Sequence, residues 1–341
     1  MITIVTNMYP SDARPGYGVF VANIEHELRK HGAVEVLFLS HEGGKIRRYF
    51  KFYSKIIITL LKRPSGTFYL HNVSHTGLPF VLLSPLLRHR VISHVHGGEL
   101  LLEHVSSKLY RGALSLIVRK ALRRSSVIVS PSAFLQDRLV DHGFQRGAIW
   151  ISPSGGVEDQ FFNSVMLPSR SYYFACGRAE AGKGMDEVVE LARKLPHVNF
   201  VIATEGTGAC TLSGVAKSVE NLTVHVGCSR SRLADLYAGA KALIFPTKLN
   251  ESLGLVALEA MAAGTPVIGP RLGAIPEYLL PGFNGYLVGE NSWRGYLKAI
   301  LQFEVLDDDK WQMLSENARK TALNYRSSTV MEKLAELVFD E

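Results

Sequence analysis

The chain has 341 residues, 47% of them hydrophobic, and a formal net charge of +7. That is enough apolar material for two domains with packed cores, and it excludes an intrinsically disordered chain. Its three cysteines, Cys176, Cys210 and Cys228, are scattered and odd in number, which argues against a disulfide framework or a cysteine metal site and suits a reducing cytoplasm.

Met1-Ile-Thr-Ile-Val reads directly as a first strand, with no basic segment or cleavage site of a signal peptide. Strand-like runs follow near Val34–Ser40, Thr67–Leu70, Val91–Val95, Val127–Val129 and Ile149–Ile151, with helical patterns over Val19–His31 and Ser132–His142. A second series of strands is expected near Tyr172–Cys176, Asn199–Ala203, Thr223–Val226, Ala242–Phe245 and Pro266–Ile268. Helices Met185–Leu195, Ser229–Gly239 and Leu253–Ala263 separate them, and Asp308–Asn324 and Ser327–Phe339 end the chain. Alternating strands and helices predict the α/β class with parallel sheets. The boundary between two similar halves is expected near Asn163–Arg170, around Pro168. No apolar run approaches the ~20 residues that a spanning helix needs.

The charge is lopsided. Residues 1–165 carry 20 Lys+Arg against 11 Asp+Glu, whereas the rest carry 18 against 20. No acidic residue lies between Glu42 and Glu99, but nine basic ones do: Lys45, Arg47, Arg48, Lys51, Lys55, Lys62, Arg63, Arg88 and Arg90. Tyr49, Phe50, Phe52, Tyr53 and Ile56 to Ile58 are interleaved with them. A basic helix of this kind can lie on an anionic membrane, and Lys108 to Arg124 is a second candidate. The alternative is a solvated basic face. Nucleic acid is a poorer partner, because no recognition motif accompanies the charge.

Several strings carry polar chemistry at strand ends. Arg14-Pro-Gly-Tyr-Gly-Val-Phe-Val21 follows the first strand, with Gly16 and Gly18 in a loop. The pair falls short of a dinucleotide-binding Gly-x-Gly-x-x-Gly. Ser93-His-Val-His-Gly-Gly-Glu99 follows the fourth strand, where ligand sites of α/β sheets form. His94 is expected to point into or along the sheet, leaving His96 as the candidate. Phe174-Ala-Cys-Gly-Arg-Ala-Glu-Ala-Gly-Lys-Gly-Met-Asp186 places Arg178 and Lys183 on a Gly-rich loop, two cations suited to a diphosphate. Asn250 to Gly269 holds Glu251 in a loop, a helix starting near Ser252, and Glu259 within that helix. Gly254 lets backbone approach a ligand at the helix N-terminus, where unpaired N–H groups favour an anion. Asp307-Asp308-Asp309 reads as acids favoured at a helix start rather than a metal cluster. A diphosphate at the helix mouth, with hydroxyls reaching each carboxylate, describes a nucleotide sugar.

The string from Asn250 to Gly269 resembles the retaining glycosyltransferases of family 4, whose signature is Glu, seven residues and a second Glu, then a small-residue helix and Gly-x-Pro-Val. Here those positions are Glu251, Glu259, Gly264, Pro266 and Val267. The loop with Arg178 and Lys183 is similar to the family's Gly-Arg…Lys-Gly, although Ala179-Glu180-Ala181-Gly182 stands where a Pro is frequent. His96-Gly97 matches its His-Gly, and Glu99 is a weaker candidate for acceptor contact. Ser154-Gly-Gly-Val-Glu158 and Val226-Gly-Cys228 are similar to two shorter turns.

The resemblance implies the GT-B fold: two Rossmann-like domains facing each other across a donor/acceptor cleft. It divides the chain into 1–165, binding acceptor, 166–322, binding the nucleotide sugar, and 323–341, a helix crossing back to brace the first domain. It implies a retaining hexosyl transfer without metal or other cofactor, to a glycan or lipid-linked acceptor in surface-polysaccharide or glycoconjugate synthesis. A UDP-sugar is favoured over GDP-mannose. Arg178, Lys183 and the amides near Gly254 and Leu255 would offset charge on the leaving diphosphate. Glu259 would bind the ribose, Glu251 a sugar hydroxyl, and His96 the sugar near its reacting carbon, with Gly16 and Gly18 over the phosphates. The expected place is the cytoplasm or the inner face of its membrane. The alternatives are a catalytically silent sugar-binding scaffold and a nucleotide-sugar epimerase or hydrolase of the same fold.

Overall fold

The computed structural model describes residues 1–11, 17–63, 65–83, 88–101, 107–164 and 170–339. They form two units. The first is Met1–Gly155 with Ser328–Glu341, the second Gly156–Ser327.

The first unit is one parallel sheet: β1 (Ile2–Thr6), β2 (Val34–Phe38), β3 (Thr67–His71), β4 (Arg90–His94), β5 (Val127–Ser130) and β6 (Ile149–Ile151), ordered β2-β1-β3-β4-β5-β6. Its inner strand β1 is a continuous apolar or β-branched run, as expected where helices cover both faces of a parallel sheet. All five residues of β1 are buried. On one face Ile2, Ile4, Tyr69, Ile92 and Val129 pack against Val21 and Ile24 of the helix Val19–Leu28. The same cluster takes Met331, Leu334, Ala335 and Val338 from the helix Ser327–Phe339. Arg90 anchors that helix by donating to the carbonyls of Leu337 (2.8 Å) and Val338 (3.3 Å). On the other face Phe52, Ile56 and Leu60 of the basic helix Lys45–Lys62 join Val5, Phe68 and Val91.

The second unit repeats the plan with β7 (Tyr172–Arg178), β8 (Asn199–Glu205), β9 (Leu222–Val226), β10 (Ala240–Ile244), β11 (Val267–Pro270) and β12 (Gly285–Val288), ordered β12-β11-β10-β7-β8-β9. The four-residue edge strand β12 has no counterpart among the sequence-predicted strands. It is held by a parallel register to β11, Val267 opposite Gly285, which is tertiary information.

The units divide at Gly155–Gly156 and Ser327–Ser328, earlier and later than the expected 165 and 322. The reason is packing. Val157 and Phe161 belong to the second unit's core, and the Val157 N–H donates to the Tyr325 carbonyl at 2.7 Å. Gly156 sits at φ 74°, where an added Cβ would lie 2.7 Å from that same carbonyl oxygen, so the crossing tolerates no side chain. Pro168 lies outside the described residues. Among those described, no helix is long and apolar enough to cross a membrane.

Leu334 is completely buried in the first unit although it lies at the far end of the chain. Leu334→Ala should lower stability by about 2–5 kcal/mol, read as a lower urea midpoint with an unchanged slope. An unaltered midpoint would mean that the terminal helix is not part of the first unit's core.

Candidate functional site

In each sheet the chain reverses its direction of travel once, and the crevice at that reversal is where α/β sheets bind ligands. In the second unit β8 and β9 extend from β7 on one side, β11 and β12 from β10 on the other, so the reversal lies between β7 and β10. Arg178 ends β7, and the loops leaving these two strands carry Lys183 and Glu251.

After Gly177 the loop is held by the Ala179 N–H on the Glu205 carbonyl and the Lys248 N–H on the Gly182 carbonyl. Lys183 Nζ lies 2.8 Å from Glu251 Oε1, which also accepts from Thr247 Oγ1 at 2.8 Å. The pair is only 22% and 16% exposed, so its attraction is weakly screened. Arg178 is the more exposed cation, with Glu180 Oε1 3.3 Å from its guanidinium. The structure thus joins Lys183 to Glu251 and keeps Arg178 solvated beside an acid that the sequence reading left without a role.

The helix expected from Leu253 or Ser252 begins instead at Leu255 and runs to Ala262. Gly254 is its cap at φ 87°, outside the helical region, and an added Cβ would lie 2.7 Å from the Tyr278 hydroxyl. Glu259, on the next turn, is not free to solvent. Its Oε1 accepts from Arg230 at 2.8 Å and its Oε2 from the Tyr237 hydroxyl at 3.1 Å. Arg230 also bonds Glu158 Oε1 at 2.7 Å. Burial pushes the Glu259 carboxyl up, with Arg230 pulling in the opposite direction. Burial would lower the Arg230 guanidinium, but the two carboxylates outweigh it and hold it above its ordinary value. Two lone pairs remain on the Glu259 carboxylate for a further donor. Burial, then Glu259, drives the neighbouring Cys176 thiol up to about 12, which leaves it protonated and a poor nucleophile at neutral pH.

In the first unit β2 extends from β1 on one side and β4 from β3 on the other, so the reversal lies between β1 and β3. Gly18, at φ 77°, caps the helix Val19–Leu28 in the loop after β1, while Gly16 lies outside the described residues. His71 ends β3, His94 ends β4, and His96 follows. His71 Nδ1 lies 3.1 Å from His96 Nε2, and the Tyr69 hydroxyl 2.6 Å from His94 Nδ1. Burial lowers all three imidazoles, His96 to about 3, so they are neutral at pH 7. Ligating atoms of the trio lie within 4.8 Å of one another. The His94 and His96 rings are stacked, however, with centroids 4.5 Å apart at 25°. A metal ion needs lone pairs that converge in the ring planes about 2.0–2.1 Å away, which near-parallel rings do not offer.

Glu99 is 3% exposed and its Oε1 has no partner among the described residues. It lines a cavity of about 20 Å³ with Ser115, Arg119 and His142, room for one water. Burial pushes its carboxyl up to about 7, against backbone N–H groups of Glu99, His96 and Val73 that favour the charged form. That places Glu99 behind the His96 loop, where it ties backbone together.

Arg230, Tyr237, Thr247 and His71 are the residues that the sequence motifs missed, and Glu158 was quoted only as the end of a turn. Ser229-Arg230 reads locally as a helix start, which it is: Ser229 caps the helix Arg230–Ala238. Nothing in that string marks the arginine as the partner of a glutamate 29 positions away.

Residues 157–321 match the family model described as Glycosyl transferases group 1. The D-inositol 3-phosphate glycosyltransferase of Mycolicibacterium paratuberculosis is 35% identical over 137 residues, 37% of this chain and 31% of that protein. This chain spans about a third of the length of these curated relatives that it matches. The sucrose-phosphate synthase structure from Thermosynechococcus elongatus superposes with a TM-score of 0.81 at 16% identity, covering 99% of this chain and 98% of the other. Anabaena Alr3699/HepE in complex with UDP-glucose gives 0.77 at 17% identity, covering 99% of both. These likenesses establish the GT-B fold.

Glu99 has a folded value of about 7 against an ordinary 4.5. Below pH 4.5 it is protonated whether folded or not. Between 4.5 and 7 the unfolded chain ionises first, so stability falls across that window by about 3 kcal/mol. Glu99→Gln removes the fall, and denaturation curves at pH 4.5 and 7.5 should show the variant gaining on the wild type. A constant difference between the two proteins would contradict the assignment.

Proposed function

We propose that this chain, whose residues 157–321 are a Glycosyl transferases group 1 domain on a GT-B fold, is a retaining, metal-independent glycosyltransferase. It would move a sugar from a nucleotide-sugar donor to a glycan or lipid-linked acceptor in surface-polysaccharide or glycoconjugate synthesis. The observation that carries the reading is the meeting of Lys183, Glu251 and the Gly254-capped helix in loops leaving β7 and β10. Cation, carboxylate and free helix amides at a strand-order reversal suit a sugar diphosphate.

In this mechanism the Lys183–Glu251 pair serves twice. The free protein keeps both charges partnered. An arriving diphosphate competes for Lys183 and releases Glu251 to accept from a sugar hydroxyl. Arg178, 54% exposed, closes on the same phosphates, and the amides near Gly254 and Leu255 add donors. Together they stabilise charge that grows on the leaving group, the work a metal ion does elsewhere. Glu259 accepts from the ribose through its remaining lone pairs while Arg230 holds it in place. His96 contacts the sugar, and the leaving phosphate takes the acceptor's proton. A UDP-sugar is the favoured donor, which the UDP-glucose complex of a structural neighbour supports.

The acceptor side would sit against an anionic membrane, on its cytoplasmic face. The helices Lys45–Lys62 and Lys108–Arg124 contain no acidic residue. Ile46 is 88% exposed, Phe50 72% and Leu109 90%, beside Arg47, Lys51, Lys55 and Lys108. Large apolar side chains left in water among cations match a headgroup surface. Arg48 is turned back onto the Ser40 carbonyl and contributes less.

The donor reading is tested by thermal shift with UDP, GDP, ADP, dTDP and their sugars. A ligand at a hundred times its dissociation constant should add roughly 2.7 kcal/mol, and Arg178→Ala or Glu259→Ala should abolish the shift. If no nucleotide shifts the folded wild type, the transferase reading fails. For the membrane, exchanging Lys45, Arg47, Lys51 and Lys55 for Gln should weaken partitioning onto phosphatidylserine vesicles at least a hundredfold, at about 1 kcal/mol per charge. Wild-type protein that ignores such vesicles would refute the docking.

A further inference from the structure

The ring of His96 is held on several sides. His94 stacks on one face, and Phe20 meets it edge-on with centroids 4.9 Å apart. His71 closes the Nε2 side, 3.1 Å away and within 10° of the same ring orientation. Nδ1 of His96 has no partner among the described residues, and His96 is only half-buried where His71 is fully buried.

Two neutral imidazoles that share a hydrogen bond share one proton, and each ring carries one N–H. Either His71 donates from Nδ1 or His96 donates from Nε2. The other nitrogen of His71 decides between them. Nε2 of His71 is buried with no partner among the described residues. If His96 donated, that nitrogen would carry an orphaned N–H in the core, an arrangement folded proteins avoid. If His71 donates, the same atom is a bare lone pair, which is the lesser penalty. Burial keeps both rings uncharged, so a doubly protonated ring does not intervene.

We infer that His71 is a positioning residue: its Nδ1–H donates to Nε2 of His96 and fixes His96 as the Nδ1–H tautomer, which presents a single donor to an oxygen of the bound sugar. This rests on the reading that His96 faces the donor sugar. It also sharpens the chemistry. The only lone pair of His96 is occupied by His71, so His96 binds an oxygen but takes no proton from the acceptor. That leaves deprotonation to the departing phosphate. The restricted ring suits this task, because a donor of fixed direction selects one oxygen.

The full chain labelled with 15N-histidine tests this by long-range proton–nitrogen spectra, with His96 assigned through His96→Gln. The wild type should show His96 protonated at Nδ1 and unchanged from pH 6 to 8. His71→Asn retains a donor near the position of Nδ1 and should preserve that tautomer. His71→Leu should return His96 toward the Nε2–H form that free imidazole prefers. Transfer assays should show kcat down at least tenfold in His71→Leu, donor KM within threefold of wild type, and most of kcat recovered in His71→Asn. Nucleotide-induced thermal shifts, which report the second unit, should be equal in all three proteins. A wild-type His96 protonated at Nε2 overturns the proposal, as does an unchanged tautomer or unchanged kcat in His71→Leu. Absence of transfer with every donor would instead sink the transferase reading, and the spectra would still decide the tautomer.

Discussion

Every strand pair in both sheets is parallel, and that constraint places the chemistry. Parallel strands put all their carboxyl ends along one edge of the sheet. The chain must return through a helix after each strand, so loops gather at that edge. Where the strand order reverses, two neighbouring loops lead away from each other and leave a crevice. In the second unit the crevice is flanked by the Lys183 and Glu251 loops. In the first it is flanked by the loop holding Gly18 and by the end of β3 at His71. Side chains far apart in the chain become neighbours there because the strands bearing their loops are neighbours.

Once gathered, the charged groups must be reconciled with burial. An unpaired carboxylate in a low-dielectric site is costly, and removing one partner of a buried pair leaves the other exposed to that cost. The second unit answers with two networks. Lys183, Thr247 and Glu251 form one, with both donors on a single oxygen of a carboxylate that is 16% exposed. Arg230, Tyr237, Glu158 and Glu259 form the other, in which each oxygen of the Glu259 carboxylate, 8% exposed, accepts from its own donor. The first suits groups that rearrange around a ligand. The second suits a carboxylate held in a fixed direction. The first unit answers differently, by keeping its histidines neutral and letting them bond one another.

Much of this was legible locally. The β-branched runs, the strand-to-loop glycines and the order of elements are set by near neighbours in the chain, and the strands of the first unit lie where the pattern places them. Turn chemistry located Gly254 and the loops of Arg178, Lys183 and His96. Local pattern does not encode a feature that depends on something remote. The start of the helix at Leu255 is decided by the left-handed Gly254 against Tyr278, and the edge strand β12 by its register to β11. The unit boundary at Gly156 is decided by the carbonyl of Tyr325, 169 positions along the chain.

The amino-acid sequence alone determined that this chain builds two parallel α/β sheets and carries a Gly-rich loop with two cations and two spaced glutamates, because period, turn residues and spacing act over a few residues. Only the tertiary structure decided which groups hold which. Lys183 meets Glu251 across 68 positions, Arg230 meets Glu259 across 29, and His71 meets His96 across 25. Such pairings follow from which strands lie side by side and from the desolvation of groups trapped at their ends, neither of which a local pattern encodes.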